Sequence, residues 1–329
     1  MLEKYLNVRY SLQNLSDQEF ENILPTLATE LEQVSYVPTH SLSDLQKDWN
    51  KLKNWSNTSN TINSTSRVGL KLCEHFFPNF YDIEMKGTSF RKLWNASNLE
   101  KVLRWNRKGH STPYLSELKR GIYFCCGLTK NTMYRPQMAK QICDVYKPKI
   151  VLDPCAGWGG RMLGVVASGA EYIAFEPNTE TYANLIELAK FLKIENKVTL
   201  ICDDALKMSN YPIPKVDLIL TSPPYFDLEV YCKEDTQSIT KFSNYQDWST
   251  GFLQRLIEVC ISNLTENGLS CWNVAKVGNY DMNKDLYDYH QLVGFSDSNL
   301  FKVVSSKRQA LNKTGKDKST DITVAFTKA

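Results

Sequence analysis

The sequence predicts an α/β fold: a doubly wound, mostly parallel, seven-stranded sheet preceded by a mainly helical domain. Three observations predict it. From about residue 111 onward, short apolar segments alternate with stretches of helical periodicity. The first four of those segments each end on a polar group: Asp153, Glu176, Asp203 with Asp204, and Ser222. Before residue 110 the texture is different, rich in Asn, Ser, Leu and Trp, with apolar residues at helical spacing. The expected domains are therefore 1–110 and 111–329.

Each element follows from local spacing. Leu15, Phe20, Ile23, Leu24, Leu27 and Leu31 mark an early helix that Ser16 can cap. The polar stretch Asn54 to Ser66 reads as a connection. Pro136 to Lys147 places Met138, Ile142, Val145 and Tyr146 on one helical face. Lys149 to Leu152 is a strand, followed by a glycine-rich turn and a helix through Met162, Val165 and Val166. Tyr172 to Phe175 is the next strand, and Asn178 can cap the helix carrying Tyr182, Leu185, Ala189 and Leu192. Val198 to Cys202 and Val216 to Leu220 are further strands. A helix from Tyr245 to about Leu264 leads into a strand at Leu269 to Ala275. Phe301 to Ser305 and Ile322 to Phe326 read as a closing hairpin. Strands joined by helices imply right-handed parallel crossovers, with ligands bound beyond the carboxyl ends of the strands.

The bulk numbers exclude more than they assign. The chain has 329 residues, 42% hydrophobic and 23% charged, an ordinary globular balance that can bury a core. A net charge of +3 permits nucleic acid only where basic residues cluster. The nine cysteines form no CxxC pair and no Cys/His group of zinc-like spacing, so no metal is expected, and free thiols in a reducing compartment are. Met1 to Tyr10 lacks a signal-type apolar core, and no run reaches about 18 apolar residues. A protein that is cytoplasmic, or located wherever its substrate resides, and that is not secreted and does not span a membrane is expected.

The segment Val151-Leu-Asp-Pro-Cys-Ala-Gly-Trp-Gly-Gly-Arg161 carries the first half of a site. Its glycines let backbone approach a ligand closely. A dinucleotide loop would need a third glycine at position 162, which is Met. The loop also opens on Asp153, which would repel a pyrophosphate and attract a cation. S-adenosylmethionine, with its sulfonium and ammonium, fits that charge. Glu176 lies 19 residues past Gly157, where an acid can take both ribose hydroxyls, and Asp204 can accept from the adenine amine. The cofactor candidates are Asp153, Pro154, Ala156, Gly157, Gly159, Glu176, Pro177, Asp203, Asp204 and Ala205.

Asp217-Leu-Ile-Leu-Thr-Ser-Pro-Pro-Tyr-Phe226 carries the second half. The prolines Pro223 and Pro224 fix two φ angles and remove two donors, leaving rigid carbonyl acceptors. An exocyclic amine has two N–H bonds to satisfy. The Ser222 hydroxyl and the Pro223 carbonyl can accept both, and Tyr225 offers a ring for stacking. In-line methyl transfer needs this alignment more than it needs a strong base. Phe226 and Tyr231 are candidates for shaping the base pocket. Cys155 follows a proline, as the nucleophile of carbon-5 cytosine methylation does, but its place in the cofactor loop argues against that role.

This pair of segments resembles the class I amino-methyltransferases, with a Rossmann-like methyltransferase fold, that act on cytosine N4 or adenine N6 of DNA. Ser222-Pro223-Pro224-Tyr225 matches the family's catalytic segment, and Thr221 before it leans toward N4-cytosine enzymes. Tyr134-Arg135-Pro136-Gln-Met138 is similar to the family's extra cofactor segment, so Tyr134, Arg135 and Pro136 are implied at the methionine end of the cofactor. The resemblance covers about 130–275 well and 276–329 loosely, and does not extend to 1–110. It implies a DNA amino-methyltransferase that flips its base, of the restriction-modification kind, with Ser222 also touching cofactor. The family's usual target-recognition domain, after the catalytic segment or between the two segments, finds too few residues here; under the DNA reading residues 1–110 would grip the duplex or read its sequence. The same pocket would serve an RNA or tRNA amino-methyltransferase or a protein glutamine methyltransferase. A non-catalytic nucleic-acid-binding relic of the fold is a further reading.

Basic residues cluster at Lys101, Arg104, Arg107, Lys108 and His110 around Trp105, then at Lys119 and Arg120. Lys302, Lys307, Arg308, Lys313, Lys316 and Lys318 form a third group, where Lys307, Arg308 and Lys313 are candidates for tracking phosphates of DNA or RNA.

Overall fold

The computed structural model describes residues 1–63, 65–274, 276–277, 280–300, 302–304 and 322–329. Its principal helices, in chain order, are α1 (Asp17–Glu32), α2 (Leu42–Asn54), α3 (Leu70–Phe76), α4 (Ala96–Lys108) and α5 (Leu115–Cys125). These are followed by α6 (Pro136–Tyr146), α7 (Gly160–Ala167), α8 (Thr179–Leu192), α9 (Arg255–Ser262) and α10 (Met282–Leu292). The main sheet has seven strands: β1 (Ile150–Asp153), β2 (Glu171–Phe175), β3 (Val198–Ile201), β4 (Val216–Thr221), β5 (Leu264–Val274), β6 (Phe295–Asp297) and β7 (Ile322–Lys328).

The strand order is β3-β2-β1-β4-β5-β7-β6. The first five strands are mutually parallel, and β7 runs antiparallel to both β5 and β6. The order reverses between β1 and β4, so a crevice opens at their carboxyl ends. Asp153 and Thr221 close those two strands.

The chain divides into two compact units, but not at residue 110. One comprises residues 1–39 and 78–132, the other residues 40–77 and 133–329. In the first, Ser16 and Glu19 form a reciprocal capping box on α1, which buries Phe20, Leu24, Leu27 and Leu31. Gly121 of α5 sits where a Cβ would lie 2.5 Å from Val102 of α4, so the two helices pack at a distance only glycine allows.

In the second unit, residues 40–77 join the sheet. A Cβ on Gly69, which has a φ of +85°, would lie 2.8 Å from Pro136. The Phe77 ring lies against Gly159, and Phe76 packs on Phe191 at 5.3 Å between centroids. The connection expected at 54–66 carries a short strand, Thr61–Asn63, paired in parallel with Lys302–Val304. The closing hairpin is therefore built differently from expectation. Residues 302–304 leave the main sheet, and Phe295–Asp297 pairs with β7 in their place.

The helix expected from Tyr245 to Leu264 begins with one α-turn, Tyr245–Trp248. It widens into a π-helical turn at Ser249–Gln254 before α9. Gly251 admits the Phe242 ring there, since a Cβ would meet it at 2.4 Å. The core beneath the sheet gathers Leu152, Phe175, Ile219, Trp248, Leu256 and Trp272.

Candidate active site

The site is built at the carboxyl ends of β1, β2, β3 and β4. Asp153 organises it from within. It is fully buried, and its carboxylate accepts four protein donors. Oδ1 takes the Cys155 backbone N–H at 3.1 Å and the Thr221 hydroxyl at 2.9 Å. Oδ2 takes Arg161 Nε at 2.6 Å and the Tyr172 hydroxyl at 2.7 Å. The expected direct grip of Asp153 on a cationic ligand is thereby corrected. The Arg161 guanidinium already supplies the cation, and no face of the carboxylate reaches the crevice. Asp153 instead ties the glycine turn to β4, the strand that leads into Ser222-Pro223-Pro224-Tyr225. Arg161 extends the tie by donating to the Cys155 and Ala156 carbonyls and lying 5.1 Å over the Tyr134 ring.

The glycine turn needs its glycines at two points. Gly157 and Gly159 have φ of +57° and +71°. Gly159 is the N-cap of α7, whose Gly160 and Gly164 press against the backbone around α6: a Cβ would lie 2.1 Å from the Tyr134 carbonyl and 2.2 Å from that of Pro136. Pro136 and Arg135 are the first residue and cap of α6, which explains their place in the sequence segment. Pro154 and Ala156 are buried, and the Ala156 N–H bonds the Phe175 carbonyl at 2.9 Å, joining the turn to β2.

Glu176, just beyond β2, is buried and accepts from Gly157 N–H at 2.9 Å and Asn178 N–H at 3.0 Å. Burial pushes its carboxyl up to about 7, against the pull of those two N–H bonds. Asp203 accepts from Lys207 at 2.8 Å and Tyr211 at 2.8 Å, which hold its carboxyl below the usual range. Asp204 caps the turn at Leu206, pairs with Lys241 and precedes the buried Ala205.

Just beyond β4 lies the segment Ser222-Pro223-Pro224-Tyr225. The Ser222 and Tyr225 hydroxyl oxygens are 3.4 Å apart. Asn273 of β5 donates from Nδ2 to the Tyr225 oxygen at 3.4 Å, and its own Oδ1 accepts from Thr323 of β7 at 3.0 Å. Pro223 is buried, while Pro224 and Ser222 are half-buried. Phe226 does not face the crevice. Its φ of +45° turns its side chain into the core, against Tyr245, Trp248 and Tyr280. Its expected contact with substrate is corrected to packing.

Tyr231 lies where its ring meets Trp158 of the glycine turn at 5.6 Å, and its hydroxyl donates to Glu229. The acidic loop that follows is tied down at β2: Thr179 donates to Glu234 at 2.6 Å and Thr236 to the Pro177 carbonyl at 3.3 Å. Lys307, Arg308 and Lys313 lie outside the described residues.

The sequence reading missed Arg161, Trp158, Asn273 and Thr323. Arg161 and Trp158 sat inside the quoted glycine segment, and an arginine eight residues past a buried acid was a usable signal. Asn273 and Thr323 gave no local signal. The nine cysteines are all free, and burial with the nearby Asp153 charge pushes the Cys155 thiol well up, unsuited to a nucleophile. Among the described residues, no three His, Cys, Asp or Glu side chains are placed to hold a metal, and no helix is long and apolar enough to cross a membrane.

The sequence model of a family described as RNA cap guanine-N2 methyltransferase matches residues 148–251, from β1 through the catalytic segment. The chain is an S-adenosylmethionine-dependent methyltransferase. No curated protein matches the sequence significantly. Similar solved structures include TrmN from Thermus thermophilus, 13% identical with a TM-score of 0.40, covering 61% of this chain and 50% of that one. An rRNA methylase from Streptococcus thermophilus is 15% identical with a TM-score of 0.38, over 60% of this chain and 99% of that one. A SAM-dependent O-methyltransferase from Thermotoga maritima is 11% identical with a TM-score of 0.40, over 62% and 69%.

The methyltransferase's residues fit its cofactor on two structural counts. The Glu176 carboxylate is aligned by backbone N–H groups at the crevice, with lone pairs left for a ribose diol. The Tyr134 hydroxyl is buried with no hydrogen-bond partner among the described residues, an orphan donor that a bound ligand would satisfy.

Proposed function

We propose that this methyltransferase modifies the exocyclic amine of a base in RNA, with guanine N2 the first candidate. S-adenosylmethionine supplies an electrophilic methyl group when bound. The chain's own residues do the rest. Glu176 would accept the ribose hydroxyls, and Tyr134 would meet a polar group at the methionine end. Ser222 and the Pro223 carbonyl would accept the two amine hydrogens, turning the nitrogen lone pair toward the methyl group. Tyr225 and the Trp158–Tyr231 pair offer aromatic faces to a base.

The observation that carries this reading is the pair of hydroxyls at Ser222 and Tyr225, 3.4 Å apart, just beyond the strand that Thr221 binds to the glycine turn through Asp153. The family match at 148–251 supports RNA and guanine over the DNA reading, which no comparison supports. In the sequence, Thr221 before Ser222 leans toward cytosine N4 in DNA. That residue is fully buried and its hydroxyl is spent on Asp153, so it does not report on the base.

The test is transfer of labelled methyl to RNA and DNA oligonucleotides of matched sequence, each offering guanine, adenine or cytosine as its one amine-bearing base. Label on guanine-bearing RNA is expected. Ser222→Ala should lower kcat roughly 100-fold, with cofactor affinity changed less than about threefold. Preferential labelling of DNA would overturn the RNA assignment, and full turnover by S222A would remove the amine-acceptor role.

A further inference from the structure

We propose that the exposed face of α4 and α5 binds single-stranded RNA, with an unpaired base stacking on Phe124. The inference rests on the RNA reading above, and its evidence lies in the helical unit. Phe124 is 66% exposed at the end of α5. It stacks on Trp105 of α4, with centroids 5.8 Å apart and planes 14° from parallel. The Arg120 guanidinium lies 5.7 Å from the Trp105 ring and 5.4 Å from the Phe124 ring. An exposed phenylalanine alone would mean little. Two near-parallel rings, each beside one guanidinium, form a platform that is open to solvent at Phe124.

The charge around the platform selects the partner. Residues 96–125 contain six Lys and Arg against two Glu. Lys101, Trp105 and Lys108 fall at helical spacing on the face of α4 opposite the buried Leu99, Val102, Leu103 and Asn106. Several of the cations have partners. Arg104 pairs with Glu21 and Glu100, Arg107 with Asp17, and Arg120 with Glu117. Arg107 also spends donors on the Leu12 and Leu15 carbonyls, so it serves the fold. The ion pairs of Arg104 and Arg120 are solvent-exposed, weak and exchangeable for phosphate. Lys101 and Lys108 are exposed.

Protein-binding surfaces lose charge toward their centre. Aromatic rings ringed by cations are what single-stranded nucleic acid needs: a face for the base and a positive track for the backbone. A base within a duplex is already stacked and cannot use the platform.

Fluorescence anisotropy with labelled twelve-nucleotide oligouridylate tests the proposal on the full chain. Phe124→Ala should weaken binding about tenfold or more. Phe124→Leu should weaken it similarly, while Phe124→Trp keeps it. Lys101→Glu with Lys108→Glu should weaken binding and flatten its salt dependence. Thermal melts of all variants should match the parent, because these side chains lie outside the core. An F124A affinity within twofold of the parent would overturn the proposal. So would loss with F124A but retention with F124L, which marks an apolar protein-docking site. If the parent methylates RNA while F124A binds it unchanged, this face is wrong and the substrate reading stands. If the parent neither binds nor methylates RNA, the substrate reading itself fails, and this proposal with it.

Discussion

Glu176 is asked to be buried and to accept hydrogen bonds, and its titration records the conflict. Burial and the Asp153 charge raise its carboxyl to about 7 from 4.5, opposed by the Gly157 and Asn178 N–H groups and Arg161. A carboxyl raised in the folded state contributes stability that is fully present below pH 4.5 and is lost as pH climbs through 7. The loss is on the order of 3 kcal/mol. In the cofactor-free protein the parent's Tm relative to that of Glu176→Gln should therefore fall between pH 5 and 7.5. Cofactor affinity should rise over the same interval, because the ionised carboxylate is the better acceptor for a diol. An identical Tm profile for E176Q, measured by calorimetry, would show that the carboxyl is not desolvated. His290 titrates in the opposite sense, its imidazole pushed down to about 4 by burial, so the comparison with E176Q is what isolates the carboxyl.

At the scale of elements, β5 and β7 supply a hydrogen bond to the Ser222–Tyr225 segment. Thr323 and Asn273 face each other across the antiparallel ladder. The Thr323 hydroxyl donates to the amide oxygen, which leaves the amide nitrogen to donate to Tyr225. The register of two strands thus orients a hydroxyl on the end of β4. Thr323→Val keeps the volume but removes the donor and should lower kcat about fivefold, in keeping with one hydrogen bond of roughly 1 kcal/mol. Thr323→Ser should restore it, and cofactor affinity should not move. A valine variant with the parent's kcat would leave Tyr225 oriented by something else.

At the scale of the whole molecule, the division of the chain matters more than its order. Residues 40–77 belong with the sheet, and residues 111–132 belong with the helical unit. A fragment of residues 111–329, the catalytic domain expected from texture, would lose Phe77 from against Gly159 and Phe76 from against Phe191. It should be insoluble or melt well below the full chain, since removing the fully buried Phe77 side chain alone costs about 3–5 kcal/mol. Expression and differential scanning calorimetry check this. A fragment as stable as the parent would mean that α2 and α3 are dispensable to the sheet unit.

The amino-acid sequence determined the alternation of strands and helices, the caps at Ser16 and Asn178, and the polar residues that close β1 to β4. These are legible because side-chain spacing of 2 or 3.6 residues and capping chemistry act within a few positions. Only the tertiary structure decided that Arg161 and Thr221 consume Asp153, that Phe226 turns inward, that β6 is Phe295–Asp297, and that α2 and α3 cross to the catalytic sheet. Each of those depends on which distant group arrives as a partner. An acid reads the same in a sequence whether the cation that meets it is a ligand or an arginine of its own chain.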